Sequence, residues 1–235
     1  MCGLNNSTIT NLGSVRITNM AFIRTYRAAD FEATAHICRA TLAPSLRPSQ
    51  DAYRMAPYIW THQYTHLSPT TCFVLDDGTG RAVGYCIGCP DIATFIEAYP
   101  RYVKDVLETR DEVGPAPPPG APQPFTTGDG QVDEVCLRQL AYDPECLLRR
   151  ENADLIDEQG YWGTMHIDLL DEWQGKGWGR KLIDEFVASV RAQKAAASKG
   201  VFIGIAPDND KVVAFYEKMG FRRVDGGGLR MVRDI

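Results

Sequence analysis

The last third of the chain alternates between short apolar runs and helical periodicity, and no other feature limits the fold as much. Thr164–Leu170 (TMHIDLL) alternates in the manner of a strand. A helix is predicted from about Gly179 to Lys199, with Gly200 as its stop. Val201–Ala206 (VFIGIA) reads as a buried strand, and Asn209–Met219 as a helix ended by Gly220. Phe221–Val224 and Leu229–Val232 are two short strands around Asp225-Gly226-Gly227-Gly228. Strand–helix–strand–helix–strand is the signature of an α/β sheet.

Upstream, Met20–Arg27 reads as a strand, and Asp30 is placed to cap a helix that buries Ala33, Ile37 and Leu42. Pro44 and Pro48 break it. A second helix is predicted from Ser49 to about His66, carrying Tyr53, Tyr58, Trp60 and Tyr64. Thr71–Leu75 and Ala82–Cys89 form a hairpin around Asp76-Asp77-Gly78-Thr79-Gly80. Residues 91–162 differ in character. They hold a helix over Ala93–Glu108, then GPAPPPGAPQP, which is predicted to run extended as a lid or linker, and a helical segment over Glu134–Arg150 that Pro144 interrupts. This stretch carries 15 acidic and 6 basic residues, a net of −9, which leaves +4 for the remainder of a chain whose total is −5.

The 235 residues are enough for one large domain or two small ones, and 44% hydrophobic with 23% charged residues is the balance of a globular chain. The acidic total argues against a broad nucleic-acid-binding face. No apolar run of about 18 residues is present, so no membrane-spanning helix is predicted. The N-terminus lacks a basic start and an apolar stretch, so no secretory signal is expected and the expected compartment is the cytoplasm. The seven cysteines (Cys2, Cys38, Cys72, Cys86, Cys89, Cys136 and Cys146) are then expected to be reduced thiols. Cys86 and Cys89 form a CxxC that reads as a redox pair, half a metal site, or two thiols packed in or beside a strand; no matched second pair is evident.

The stretch that carries chemistry is Gln174-Gly175-Lys176-Gly177-Trp178-Gly179-Arg180, between a strand and a helix. Glycines there let a ligand approach the backbone, and the free N–H groups of the following helical turn add an anion site suited to a pyrophosphate. Lys176, Arg180 and Lys181 add positive charge. The spacing is neither a Walker A loop nor the dinucleotide-binding fingerprint.

Gln174-x-x-Gly177-x-Gly179 after a strand ending in Leu169-Leu170 resembles the first motif of the GNAT N-acetyltransferase family. Asn209 through Phe221 (NDKVVAFYEKMGF) resembles its second. The likeness is tight over 164–224, looser over 20–90 and absent over 91–162. Within the family, HIDLL followed by GKGWGRKLI looks most like the acetyltransferase-like domain attached to O-GlcNAc hydrolases and its stand-alone microbial relatives.

The resemblance implies an α/β GNAT fold: a mixed central sheet with a splayed parallel strand pair, flanked by helices. Residues 1–19 become an N-terminal extension, and 20–235 a single domain with an insertion at 91–162. It implies acetyl-CoA as co-substrate and no metal. The pantetheine arm would pair with the backbone of Leu169 and Leu170. The pyrophosphate would sit on the N–H groups of Gly175, Lys176, Gly177, Trp178, Gly179 and Arg180, beside Gln174. Asn209 would bond the pantetheine arm and Tyr216 would give the departing sulfur its proton. Leu169 N–H would face the carbonyl oxygen. No covalent acyl-enzyme is required.

The general base stays open on the residues alone. His166 and Asp168 lie two apart on one strand and share a face. Asp133, Glu134 and Asp143 in the insertion are further candidates. An acidic insertion beside the cleft would favour a cationic amine-bearing small molecule, with Tyr58, Trp60, Tyr64, Tyr161 and Trp162 as candidate pocket walls. Transfer to an amine is one reading; a non-catalytic acetyl-CoA-binding sensor or scaffold is the other. Whether the chain forms a homodimer stays open.

Overall fold

The computed structural model describes residues 20–118, 120, 123–193 and 197–235. The N-terminal extension with Cys2 lies outside these residues, as do Pro119, Ala121 and Pro122 of the proline-rich stretch and residues 194–196 of the predicted long helix.

The described residues form one seven-stranded sheet. Its strands are β1 (Phe22–Thr25), β2 (Phe73–Asp76), β3 (Ala82–Cys89), β4 (Gly163–Leu169), β5 (Gly200–Ile205), β6 (Arg222–Val224) and β7 (Leu229–Asp234), in spatial order β1-β2-β3-β4-β5-β7-β6. Every neighbouring pair is antiparallel except β4 with β5. The helices are α1 (Phe31–Ala40), α2 (Gln50–Trp60), α3 (His62–Leu67), α4 (Ile92–Asp105), α5 (Glu134–Tyr142), α6 (Trp178–Gln193) and α7 (Val213–Lys218).

Alternation along β3 sorts the layers. Tyr85 reaches Thr61, at the α2–α3 junction, on one face. Gly88 lies under Phe186 of α6 on the other. Side chains such as Ile59, Tyr85, Phe186 and Ile87 are fully enclosed between these layers. Each contributes about 2 kcal/mol of apolar burial.

Several sequence expectations are corrected here. Asp30 precedes α1, but its carboxylate takes the Arg27 N–H at 2.8 Å and the Arg24 guanidinium at 2.7 and 2.8 Å, not the helix's own amides. The helix predicted from Ser49 to His66 is two. Ser49 Oγ caps α2 through Ala52 N–H at 3.1 Å, and Thr61 departs from helical geometry between α2 and α3. Gly200 is no helix stop; it opens β5. A Cβ there would fall 2.1 Å from the Arg233 carbonyl oxygen, so the strand pairing itself demands glycine. The segment predicted as one helix from Asn209 is a 3-10 turn, Pro207–Val212, followed by α7.

The insertion is ordered around α4 and α5. Tyr102 donates to Tyr58 O of α2 at 2.7 Å, and Tyr99 donates to Ala141 O of α5 at 2.8 Å. The pleat separates the CxxC. Cys86 and Cys89 are three residues apart on β3, so they face opposite sides of the sheet, and both are buried. Burial pushes both thiols up from their ordinary range. Among the described residues, no group of three or more His, Cys, Asp or Glu side chains is placed to hold a metal.

Candidate active site

β4 and β5 pair only at Gly163↔Val201 and Thr164↔Phe202. Beyond Thr164, β4 continues against β3 as far as Leu169 while β5 continues against β7. The two parallel strands therefore part, and a cavity of about 710 Å³ opens at the divergence. Its walls are the α1–α2 loop from Thr41 to Arg47, the end of β4 with the turn that follows it, and the segment from Asn209 to Met219. Ser45 N–H donates to Asp208 at 2.9 Å, joining the first wall to the third.

One end of the cavity is an anion cradle. Gly175 and Gly177 have φ of +70° and +82°, and a Cβ on either would meet nothing within 4 Å. The turn is thus left-handed and open, a geometry that disfavours a side chain and leaves room for a ligand. α6 begins at once with Trp178, so its unsatisfied first-turn amides border the same space. Gly179 answers to packing: a Cβ there would lie 3.0 Å from Phe215 Cζ of α7. Gln174 holds the turn by donating to Leu169 O at 2.8 Å and to Asp171 at 3.2 Å. Arg180 lines the cavity, but Lys176 and Trp178 do not. The Lys176 ammonium sits 5.5 Å from the Trp173 ring centre, and that of Lys181 4.4 Å from the Trp178 ring centre.

The register decides which backbone groups are available. Leu170 N–H donates to Val83 O at 3.1 Å and Leu170 O accepts from Trp173 N–H at 2.8 Å. Both its main-chain groups are occupied, so Leu170 is corrected as a backbone partner for a ligand. Antiparallel alternation turns the amides of Ile167 and Leu169 to the other edge, toward the gap. Both residues line the cavity.

On the α1–α3 face of β4, Asp168 and His166 come together, with His166 Nε2 2.9 Å from Asp168 Oδ2. Tyr85 of β3 donates to the same oxygen at 2.6 Å, and Thr61 Oγ1 lies 3.3 Å from the Tyr85 hydroxyl. Asp168 lines the cavity; His166 does not. Burial pulls the imidazole down, but the Asp168 charge and hydrogen bond outweigh it and hold His166 above its ordinary value. Tyr216 and Asn209 line the cavity from the far wall. Burial, reinforced by the Asp168 charge, lifts the Tyr216 phenol above its usual range, so it stays protonated at neutral pH.

Sequence reasoning did not reach Tyr85 and Thr61. The only available signal was a lone phenol in an otherwise apolar strand. It did reach the insertion, wrongly. No described residue of 91–162 lines the cavity. Glu134 pairs with Arg54 at 2.9 Å, Asp133 caps α5 through Cys136 N–H at 2.9 Å, and Asp143 accepts from Cys146 N–H at 3.0 Å. The charged lining is Arg47, Arg180 and Lys211 against Asp168 and Asp171, so the charges in direct contact with the cavity come from outside the insertion. The aromatic walls are also corrected for this cavity, since none of Tyr58, Trp60, Tyr64, Tyr161 and Trp162 lines it: Tyr58, Tyr64 and Tyr161 are buried, Trp60 packs partly buried against the core, and Trp162 donates to Ile156 O at 3.1 Å.

A family profile described as acetyltransferase (GNAT) domain matches residues 147–223. Among solved structures, SsHAT is 30% identical, with 92% of this chain and 98% of that one covered at a TM-score of 0.72. PH1933 from Pyrococcus horikoshii OT3 agrees in fold at 14% identity, 92% and 98% coverage and a TM-score of 0.51. The chain belongs to the GNAT acetyltransferase family, whose acetyl donor is acetyl-CoA. The open glycine turn, the amides at the start of α6 and the Arg180 side chain fit the diphosphate of that donor.

Proposed function

We propose that the protein is an acetyl-CoA-dependent N-acetyltransferase that passes the acetyl group directly to a primary amine of a small molecule. The observation that carries this is the single cavity wall on which Leu169, Asp168 and the glycine turn follow one another, with Tyr216 opposite. Acetyl-CoA supplies an activated thioester carbonyl. Gly175 to Arg180 hold its diphosphate, the exposed edge at Ile167 and Leu169 takes the pantetheine arm in place of a strand, and Asn209 bonds that arm from the far wall.

Asp168 is the general base: of the two candidates on its face, it is the one that lines the cavity. It accepts the proton that the amine loses as nitrogen bonds to the acetyl carbon. His166 sets the Asp168 carboxylate from the half-exposed side. Leu169 N–H donates to the carbonyl oxygen as charge grows there. Tyr216 gives its proton to sulfur as the carbon–sulfur bond breaks, so coenzyme A leaves as the thiol; Tyr216 then regains a proton from solvent and Asp168 releases to solvent the one it took. We read residues 20–235 as one unit interrupted by 91–162, and place it beside the acetyltransferase-like domain of O-GlcNAc hydrolases on the strength of its HIDLL and GKGWGRKLI stretches. The described cysteines are free and all but Cys146 are buried, which suits the reducing cytoplasm. The experiment is a panel of amines, sugars and peptides assayed for thiol release from acetyl-CoA. Release with an amine is expected; binding of acetyl-CoA without release across the panel would leave a binding protein.

A further inference from the structure

Tyr85 is fully buried, and its hydroxyl meets Asp168 Oδ2 at 2.6 Å and Thr61 Oγ1 at 3.3 Å, with the Cys38 thiol also hydrogen-bonded to the Tyr85 and Thr61 hydroxyls. Because the Tyr85 hydroxyl spends its proton on the carboxylate, its oxygen is left to accept from Thr61. Thr61 is also fully buried and stands at the break between α2 and α3, so the order Thr61, Tyr85, Asp168 runs from the helical layer through the sheet to the cavity. The contact depends on strand register, since Tyr85 pairs directly with Asp168 across β3 and β4. A phenol where the sheet otherwise buries aliphatic chains needs a partner, and here the partner is the group that faces the substrate.

We propose that Tyr85, backed by Thr61, is a positioning residue for the acetyl transfer: it clamps Asp168 Oδ2 so that the carboxylate presents its other oxygen to the acceptor amine. The proposal rests on the reading of Asp168 as base. Tyr85 does not touch the substrate; it acts through Asp168. Its own phenol is held well above the ordinary range, chiefly by burial and then by the Asp168 charge, so it remains a donor throughout the working pH range. The other ionisable groups that feel the Asp168 charge are His166 from β4, Cys38 from α1 and Tyr216 from α7. Burial pushes Cys38 up to about 12, so it adds no charge at neutral pH. Arg47, Arg180 and Lys211 complete the charged walls with Asp171. Of these, His166 alone competes for the same carboxylate oxygen, and it is 38% exposed where Tyr85 is enclosed.

The test follows the Asp168 carboxyl by carbon NMR in aspartate-labelled protein, with Asp168→Asn identifying its resonance. Losing a donor to the charged form makes the carboxylate easier to protonate, so Tyr85→Phe is expected to raise its titration midpoint by about one pH unit. In the amine assay the acid limb of the kcat/KM profile moves up by the same amount, kcat near neutrality falls, and KM for acetyl-CoA is unchanged. A folded Tyr85→Phe with an unmoved midpoint overturns the proposal. If Tyr85→Phe does not fold, Thr61→Val is read the same way, with a smaller upward move expected and an unmoved midpoint again overturning it. Full thiol release by Asp168→Asn would instead overturn the reading of Asp168 as base, while the midpoint still decides whether Tyr85 clamps it.

Discussion

The two edges of β4 have opposite fates. Toward β3 it is paired from Thr164 to Leu169, and toward β5 at only two positions. One edge is closed by an antiparallel neighbour that continues alongside it; the other is left open because β5 follows β7. An exposed strand edge is normally a liability, since its amides and carbonyls seek a partner. Here the open edge lies inside a cavity, where an extended ligand can complete it. The glycines follow the same division. Gly200, at the closed end, exists because a neighbouring backbone leaves no room for a Cβ, whereas Gly175 and Gly177, at the open end, have room and instead supply a left-handed turn.

Substitutions on the two sides of that divide should separate chemistry from architecture. Asp168→Asn carries the largest expected effect: thiol release from acetyl-CoA falls at least about 100-fold, while thermal stabilisation by acetyl-CoA persists. Gly200→Ala and Gly177→Ala form the sharpest pair. The first places a methyl 2.1 Å from Arg233 O, and is expected to cost about 3 kcal/mol in urea unfolding. The second leaves the melting temperature within a few degrees but weakens acetyl-CoA binding about tenfold by calorimetry, because alanine resists a φ of +82°. Equal behaviour of the two variants would erase the distinction between closed and open ends.

Tyr216→Phe should lower kcat about tenfold and leave KM for acetyl-CoA nearly unchanged. Because the phenol is raised above its ordinary range, no loss of wild-type activity below pH 10 should trace to it; a kcat profile that keeps an alkaline limb after this substitution is expected. The smallest effect concerns His166, whose folded value is raised relative to the ordinary 6.5. A raised value means the folded state binds the proton more tightly. The stabilisation is therefore complete below about pH 6.5 and is lost as pH climbs through the folded value. Melting curves of wild type and His166→Gln should differ at pH 5.5 and converge toward pH 8.5.

What could be read in advance depended on how far apart the cooperating residues lie. The strands, the hairpin and the glycine turn before α6 are local, written in alternation and in residues whose backbone freedom is special. Errors fell where a local signal served a distant neighbour. Gly200 looked like a helix stop because glycine ends helices, yet it answers to Arg233 on another strand. Asp30 looked like a cap, yet Arg24 claims its carboxylate.

The amino-acid order by itself determined the alternating α/β plan, the cradle of Gly175, Gly177 and the α6 amides, and the placing of His166 and Asp168 on one face, since each follows from neighbours a few residues apart. Only the tertiary structure decided that Leu170 is spent on Val83, that Tyr85 meets Asp168 across 83 residues of chain, and that the described residues of the acidic insertion stay out of the cavity lining. Periodicity tells which side of an element is buried; strand register and the direction in which a charged segment folds are set by contacts between elements, and no local pattern encodes them.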